Sequence, residues 1–280
     1  MFEPIADFIL DGLQATMSTA KTLALPAIYF FLLGLILKRR QLFVDLKRVR
    51  HEAELNLQII LFDLFFVVPV IGWIAVGLNS VFDTYSIGLV PDAVWAGMPV
   101  LVVYLIAVIA GDFIGYWRHR LEHTTILWPS HAVHHSDTQM TWLTLQRFHP
   151  INRVTTFTVD SAFLLALSLP PEAVIANNLV RHFYGYFIHA DLPWTYGVVG
   201  KVLVSPAMHR WHHAADPRFF QKNFATVFSI YDRAFGTYMV PGPCTAPLGV
   251  TDNMKPTLLG NLGYAFTPRA YSRLFSKKRK

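Results

Sequence analysis

Three long apolar stretches separated by short polar ones set the framework of the chain. They run from about Thr22 to Leu37, from about Leu55 to Leu78 and from about Val94 to Trp117. Each approaches or exceeds the roughly 20 residues that a helix needs to cross a hydrocarbon core. They predict three transmembrane segments within residues 22–117. A fourth apolar region, from Val154 to about His189, is broken by Pro170-Pro171-Glu172. Two successive prolines remove two backbone donors and disfavour continued helix, so residues 154–189 predict a membrane hairpin of two helices meeting at a turn. Polar, histidine-rich stretches fill 118–153 and 190–240, and a basic tail occupies 241–280. The expected fold class is all-α: a multi-pass integral membrane helical bundle, one domain over 1–280, with a cytosolic histidine-rich helical cap.

Charge orients this bundle. Lys38, Arg39, Arg40, Lys47, Arg48 and Arg50 follow the first run at once, whereas Asn79 to Ala93 holds Asp83 and Asp92 and neither Lys nor Arg. Basic loops stay on the cytoplasmic side, so the first segment is expected inside, the second outside, and the histidines after Trp117 inside again. The stretch YSRLFSKKRK combines aromatic and basic residues and suits a membrane interface. Its Lys277–Lys280 has the form of a dilysine retrieval signal, which places the protein in the endoplasmic reticulum of a eukaryote; the bacterial equivalent is the inner membrane. Glu3, Asp7 and Asp11 leave no basic n-region of a secretory signal.

Composition points the same way. Apolar residues make up 53% of the 280 and charged residues 15%, too few to cover a water-facing surface. The net charge of +6 gathers beside apolar runs rather than in an aromatic-interleaved patch. That argues against a nucleic-acid partner and for an anionic membrane surface. The single cysteine, Cys244, allows no internal disulfide and leaves metal binding to imidazole and carboxylate.

Half of the twelve histidines, namely His119, His123, His131, His134, His135 and His149, lie within one stretch. A second cluster, His209, His212 and His213, follows later, with His189 between them. Residues three and four apart share a helix face, so each cluster should present converging imidazoles. Several imidazoles so placed are electrostatically awkward unless a metal or shared protons relieve them. Eight clustered histidines exceed one ion's coordination, which predicts two metals; all-imidazole ligation suits iron, zinc, copper or nickel alike. HRLEH lacks the HExxH order of one-zinc proteases. His51 reads as an ordinary polar residue, while His149 and His182 are additional candidates.

Ligating imidazoles need partners that orient them. Asp112 and Tyr116, seven and three residues before His119, share its helical face and are the expected partners, together with Asp191 beyond His189; Asp137, Asp216 and Asp232 also lie near the clusters. Asp63 and Asp160 fall inside apolar runs, where an ionisable group is costly. Trp117, Trp128, Trp142, Trp194 and Trp211 read as interfacial anchors. Asp160 and Trp194 are further assigned to the region a substrate would occupy.

The succession DFIGYWRHRLEH, HAVHHSD, RFHP, FIHAD, SPAMHRWHH and YDRAFGTY, over about 112–238, resembles the fatty acid hydroxylase superfamily, also called the sterol desaturase family. The resemblance implies a membrane non-haem di-iron oxygenase that uses O2 and electrons to hydroxylate or desaturate a sterol-like or fatty-acyl lipid. It implies two iron ions held by His119, His123, His131, His134, His135, His209, His212 and His213, with His189 a further ligand. Zinc readily occupies such imidazole sites in purified protein. The HxxxH spacing is similar to the sterol-type branch. Asp191, Asn152 and Ala225 depart from the Asn, Glu and Gly that members often carry. With no flavin or haem signature in the chain, the expected electron donor is a cytochrome b5-like or ferredoxin-like protein. The alternatives are an ether-lipid monooxygenase of the same superfamily and, in another class, a histidine-rich membrane metal transporter or sensor. Transport sites lie near the midplane on broken helices, whereas these histidines flank the apolar runs.

Overall fold

A computed structural model describes residues 3–272, with side chains described from residue 14 onward. Glu3, Asp7, Asp11 and the basic end Lys277–Lys280 lie outside the residues and side chains so described. Helix α1 (Glu3–Lys38) ends in a two-residue turn whose Arg39 has φ +51°, and α2 (Gln41–Phe62) starts at once. The basic segment expected as a loop, Lys38 to Arg50, is therefore helical from Gln41. Through a widened turn, Asp63–Val67, α2 runs into α3 (Val68–Thr84). That turn precedes Pro69, which has no N–H to offer the carbonyl four residues back, so the regular ladder cannot pass through it.

The continuous run Gln41–Thr84 is 44 residues long. At 1.5 Å per residue it spans about 66 Å, roughly twice a hydrocarbon core. Its polar first half consequently stands outside the apolar layer and buries Val49, Leu55, Asn56 and Ile59. Because α3 continues to Thr84, the turn that follows is shorter than the stretch from Asn79 to Ala93 predicted. A short α4 (Asp92–Ala96) then leads to α5 (Val100–Glu122). Pro99 sits just ahead of α5, so this helix begins later than Val94, and it continues past Trp117 to carry His119 and Glu122.

Beyond α5 come α6 (Trp128–His135), a short 3-10 turn at Trp142–Gln146, α7 (Pro150–Ala166) and α8 (Pro171–His189). Then follow α9 (Pro206–His212), α10 (Ile230–Ala234) and α11 (Leu258–Tyr264). The protein is all-helical; the described residues hold only isolated bridges, Leu203 with Phe228 and Ala214 with Leu248. Three helical segments are long and apolar enough to cross a membrane: Gln14–Lys38, Gln41–Thr84 and Val100–Glu122. They mark a membrane protein. Neither α7 nor α8 is among them: α7 has 17 residues and carries Asn152, Arg153 and Asp160, and α8 carries Asn177, Asn178 and Arg181.

Those polar residues join the helices. Asp160 accepts from Arg118 Nε and Arg181 Nη1, each at 2.8 Å, and Arg118 Nη1 also reaches Glu122 Oε2 at 2.7 Å, so one ion cluster ties α5, α7 and α8. Asp63 pairs with Arg153 at 2.8 Å and fastens the widened turn to α7. Gly111 and Gly115, one turn apart on α5, make the close approach possible: a Cβ on either would collide with Asn177 or Arg181 of α8. At the histidine end, Lys38 of α1 pairs with Asp191, and Glu52 of α2 pairs with Arg147 at 2.5 Å. The end of α1, the start of α2 and the end of α5 thus meet at the same pole.

Candidate metal centre

Each histidine is placed by a helix end. His119 lies in the last turn of α5 and His123 is its C-cap; His189 is the last residue of α8. Two-turn α6 supplies His131, His134 and His135, and α9, capped by the Ser205 side chain, supplies His209 and His212, with His213 following. All nine are buried.

They assemble into two groups. In the first, His119, His123, His131, His135 and His212 bring one ring nitrogen each within 4.8 Å of one another; in the second, His134, His189, His209 and His213 do the same. The sequence clusters are split between them. Histidines four apart stay together (His119 with His123, His131 with His135, His209 with His213), whereas His134 and His212 cross to the other group. Steps of three and four residues turn about −60° and +40° around a helix of 3.6 residues per turn, so they lie on opposite edges of one face. Helices α6 and α9 sit between the groups and serve one with each edge.

The outer nitrogens fix the chemistry of the inner ones. Nδ1 of His119 donates to the Phe224 carbonyl at 2.7 Å, and Nδ1 of His212 to the Lys222 carbonyl at 2.7 Å. Nδ1 of His134 donates to the Arg147 carbonyl at 3.2 Å, and that of His189 to the Gly185 carbonyl at 2.7 Å. A carbonyl only accepts, so in these neutral rings the proton is on Nδ1 and Nε2 is a bare lone pair. Yet Nε2 of His119 lies 3.0 Å from Nε2 of His212, and Nε2 of His134 lies 3.2 Å from Nε2 of His189. Each group therefore contains two lone pairs facing one another with no proton between them. Protonation does not resolve this: burial, reinforced by neighbouring imidazoles, holds His134, His135, His209 and His213 well below the ordinary histidine range. Burial likewise takes His131 and His212 down to about 3. A shared cation satisfies this geometry, and buried imidazole donors suit a transition metal.

The partners of these rings differ from the expected ones. Asp112 is fully buried but touches no imidazole; it accepts the backbone N–H groups of Thr226 (3.3 Å), Val227 (3.1 Å) and Phe228 (2.8 Å). Asp232 accepts those of Phe224 (2.7 Å) and Ala225 (2.9 Å). The two carboxylates thereby fix the segment whose Phe224 carbonyl holds His119. Tyr116 bonds Thr237 and packs on Phe224. Asp191 faces Lys38, Arg48 and Arg210, not His189.

Glu122 and Arg147, which no spacing rule marks, take part in the site, and so does Asn152, which the sequence shows only as a departure from the family pattern. Asn152 Oδ1 accepts from His131 Nδ1 at 3.0 Å, with Glu122 Oε2 at 3.5 Å behind it. Buried Arg147 offers its carbonyl to His134 while its guanidinium holds Glu52 and Asn56 of α2. The one available signal was their position inside the HRLEH and RFHP motifs. His149 lies outside both groups: it caps α7 through Nδ1 and bonds the Leu262 carbonyl. His182 also lies outside them, packed on Tyr186.

Two cavities lie at this pole. One of about 120 Å3 is lined by His123, His135 and His212. The other, about 560 Å3, lies between α1, α2 and residues 138–143, with Ala190 and Arg210, the neighbours of His189 and His209, in its wall. Asp160 and Trp194 line neither: Asp160 is taken up by two arginines, and Trp194 packs beside Phe187 at 5.9 Å between ring centres.

Residues 104–237 match the family model described as fatty acid hydroxylase. The chain is 26% identical over 184 residues to an ornithine lipid hydroxylase of Rhizobium tropici, covering 65% of this chain and 56% of that protein. It is 32% identical over 128 residues to the alkylglycerol monooxygenase of Homo sapiens, covering 45% and 28%. Against a Delta(7)-sterol 5(6)-desaturase of Gibberella zeae it is 28% identical over 131 residues, covering 46% and 36%. The chain thus spans little more than half, or less, of the length of these curated relatives. No solved structure matches it significantly.

Proposed function

We propose, for a chain whose residues 104–237 match the fatty acid hydroxylase family model, that it is a membrane oxidoreductase which uses two iron ions, O2 and external electrons to oxidise a C–H bond of a membrane lipid. The observation that carries this reading is the pair of proton-free Nε2 contacts, one in each histidine group. His119, His123, His131, His135 and His212 would hold one ion, and His134, His189, His209 and His213 the other. Iron in such sites supplies the redox chemistry that O2 activation needs. The chain's own part is positional: backbone carbonyls fix the rings, burial keeps them neutral, and the enclosing helices exclude water. Names of relatives that hydroxylate ornithine lipids, oxidise alkylglycerols and desaturate sterols support a lipid substrate, sterol-like or fatty-acyl. The ether-lipid reading keeps the same chemistry and draws on the alkylglycerol monooxygenases.

The basic stretch Lys38 to Arg50 lies at the histidine pole, which supports a cytoplasmic active site, in the endoplasmic reticulum of a eukaryote or the inner membrane of a bacterium. Electrons would come from a cytochrome b5-like or ferredoxin-like protein. The test is incubation of the iron-loaded full chain with reductant, isotopically labelled O2 and candidate lipids. One labelled oxygen in the product identifies hydroxylation, and a double bond without label identifies desaturation. Absence of lipid-dependent O2 uptake by the loaded protein overturns the reading.

A further inference from the structure

The cavity of about 560 Å3 beside the second histidine group falls within the roughly 300–1,000 Å3 typical of small-ligand sites. It is amphiphilic in a directional way. Phe30, Phe31 and Leu33 of α1, Leu42 of α2, and Trp142 with Leu143 form an apolar wall, in which Phe30 stacks on Trp142 at 5.7 Å between ring centres. Phe31 is also exposed on the outside of α1, a helix that is almost wholly unburied along its apolar length, so this wall borders the space that lipid fills.

At its rim the same cavity carries five charged side chains. Asp45 binds Lys38 at 2.9 Å and Arg48 at 3.3 Å; Asp191 binds Lys38 and takes Arg210 at 3.3 Å and Arg48 at 3.8 Å. Three cations surround two carboxylates, which leaves one positive charge in excess. Lys38, Asp45 and Arg210 are mostly shielded from solvent, with side-chain exposures of 24%, 14% and 17%. Such a cluster is costly to cover with hydrocarbon alone, because desolvated charges need charged or hydrogen-bonding partners.

From this arrangement we infer that the cavity binds the head end of a zwitterionic lipid, an anionic oxygen group taking the surplus cation and an ammonium reaching the carboxylates, with the first part of the acyl chain against Phe30, Leu42 and Trp142. A sterol, whose polar part is one hydroxyl, meets the apolar wall but leaves the surplus cation without an anionic counterpart. The anionic group is a phosphate or a carboxylate, since both present oxygens that accept from guanidinium and ammonium groups. The inference rests on the lipid-oxidation reading only in naming that site's substrate class; the binding it describes is measurable without turnover.

The experiment uses the full chain in neutral detergent and measures retained lipid by native mass spectrometry. The probes are a phosphatidylethanolamine, an acyl lipid with a free amino-acid headgroup, a phosphatidylglycerol, a diacylglycerol and cholesterol. Wild type should retain one or both zwitterionic lipids over the neutral ones. Preference for the first probe assigns a phosphate site and for the second a carboxylate site. Lys38→Ala with Arg48→Ala should weaken that retention about tenfold, the scale of one lost charge-assisted hydrogen bond, at unchanged metal content. Asp191→Asn raises the net charge of the rim by one and should shift preference toward an anionic phosphatidylglycerol, a gain that misfolding cannot imitate. Equal retention of neutral and zwitterionic lipids, or no shift in Asp191→Asn, overturns the proposal. Lipid-dependent O2 uptake is recorded in parallel: selective binding without uptake removes the oxidation reading and keeps the pocket, whereas uptake with unselective binding does the reverse.

Discussion

Replacing Asp112 tests whether a residue that touches no imidazole nonetheless sets the first histidine group. Its carboxylate takes the backbone N–H groups of Thr226, Val227 and Phe228. Asp112→Ala leaves the buried Val227 N–H and the partly buried Thr226 and Phe228 N–H groups without that acceptor, at about 1–3 kcal/mol for the buried donor and up to about 9 kcal/mol for all three. That is comparable to the whole stability of a typical domain, about 5–15 kcal/mol. Asp112→Asn is the more informative change, because its one carbonyl oxygen keeps part of the set. With the segment loosened, the Phe224 carbonyl no longer fixes His119 Nδ1 at 2.7 Å. Loss of such a partner typically lowers metal affinity about 10–100-fold. Denaturant unfolding in mixed micelles should place Asp112→Ala at least about 1 kcal/mol below wild type. Metal titration of Asp112→Asn should show one weakened ion, in the first group, and one unchanged. A cost below about 1 kcal/mol for Asp112→Ala, or wild-type binding of both ions by Asp112→Asn, would show that Asp112 does not set the first group.

Two ions per chain are expected after iron reconstitution; His134→Ala or His213→Ala should remove the second, His131→Ala or His212→Ala the first, and His51→Ala neither, as elemental analysis would read. In the metal-free protein the depressed imidazoles imply that the unfolded chain binds more protons than the folded one between pH 6.5 and about 3. Stability should then fall as the pH drops below 6.5, and a midpoint that is flat or rises on acidification would contradict the neutral-imidazole picture. Arg147→Met leaves the mostly buried Glu52 with its Thr138 hydrogen bonds but without its cation and should cost up to about 3–5 kcal/mol, while adding Glu52→Gln should recover much of it; equal stability of single and double variants would show that the pair is not coupled. In a Cys244→Ala background, a membrane-impermeant thiol reagent should label Asp83→Cys from outside and spare Gln221→Cys, and the reverse pattern would invert the topology.

Local information was enough for much of this protein. Apolar runs longer than a globular helix needs identify three spanning segments, and Pro170-Pro171 marks the break between α7 and α8. Repeats of three and four residues put histidines on common helix faces. These features depend on periodicity and backbone chemistry within one element, which the order of residues carries directly. Where an element's limits depend on packing, the sequence was less legible. The basic stretch after α1 looks like a loop by charge but is helix, because Val49, Leu55 and Ile59 find a surface to bury against.

Contacts between elements were decided only by the tertiary structure. Spacing says that His134 lies near His131 and His135 on α6, but not that two other helices approach from opposite sides and divide them. Asp112 shares a face with His119, yet its oxygens meet amides more than a hundred residues away. Asp191, two residues from His189, turns instead to cations from α1, α2 and α9. Residue order alone places each side-chain type on its helix face, because a helix of 3.6 residues per turn sets side-chain direction. Which faces meet, and so which lone pairs, carboxylates and cations come within bonding distance, was settled by how the helices pack, since close packing satisfies all of them at once or leaves buried groups unpaired.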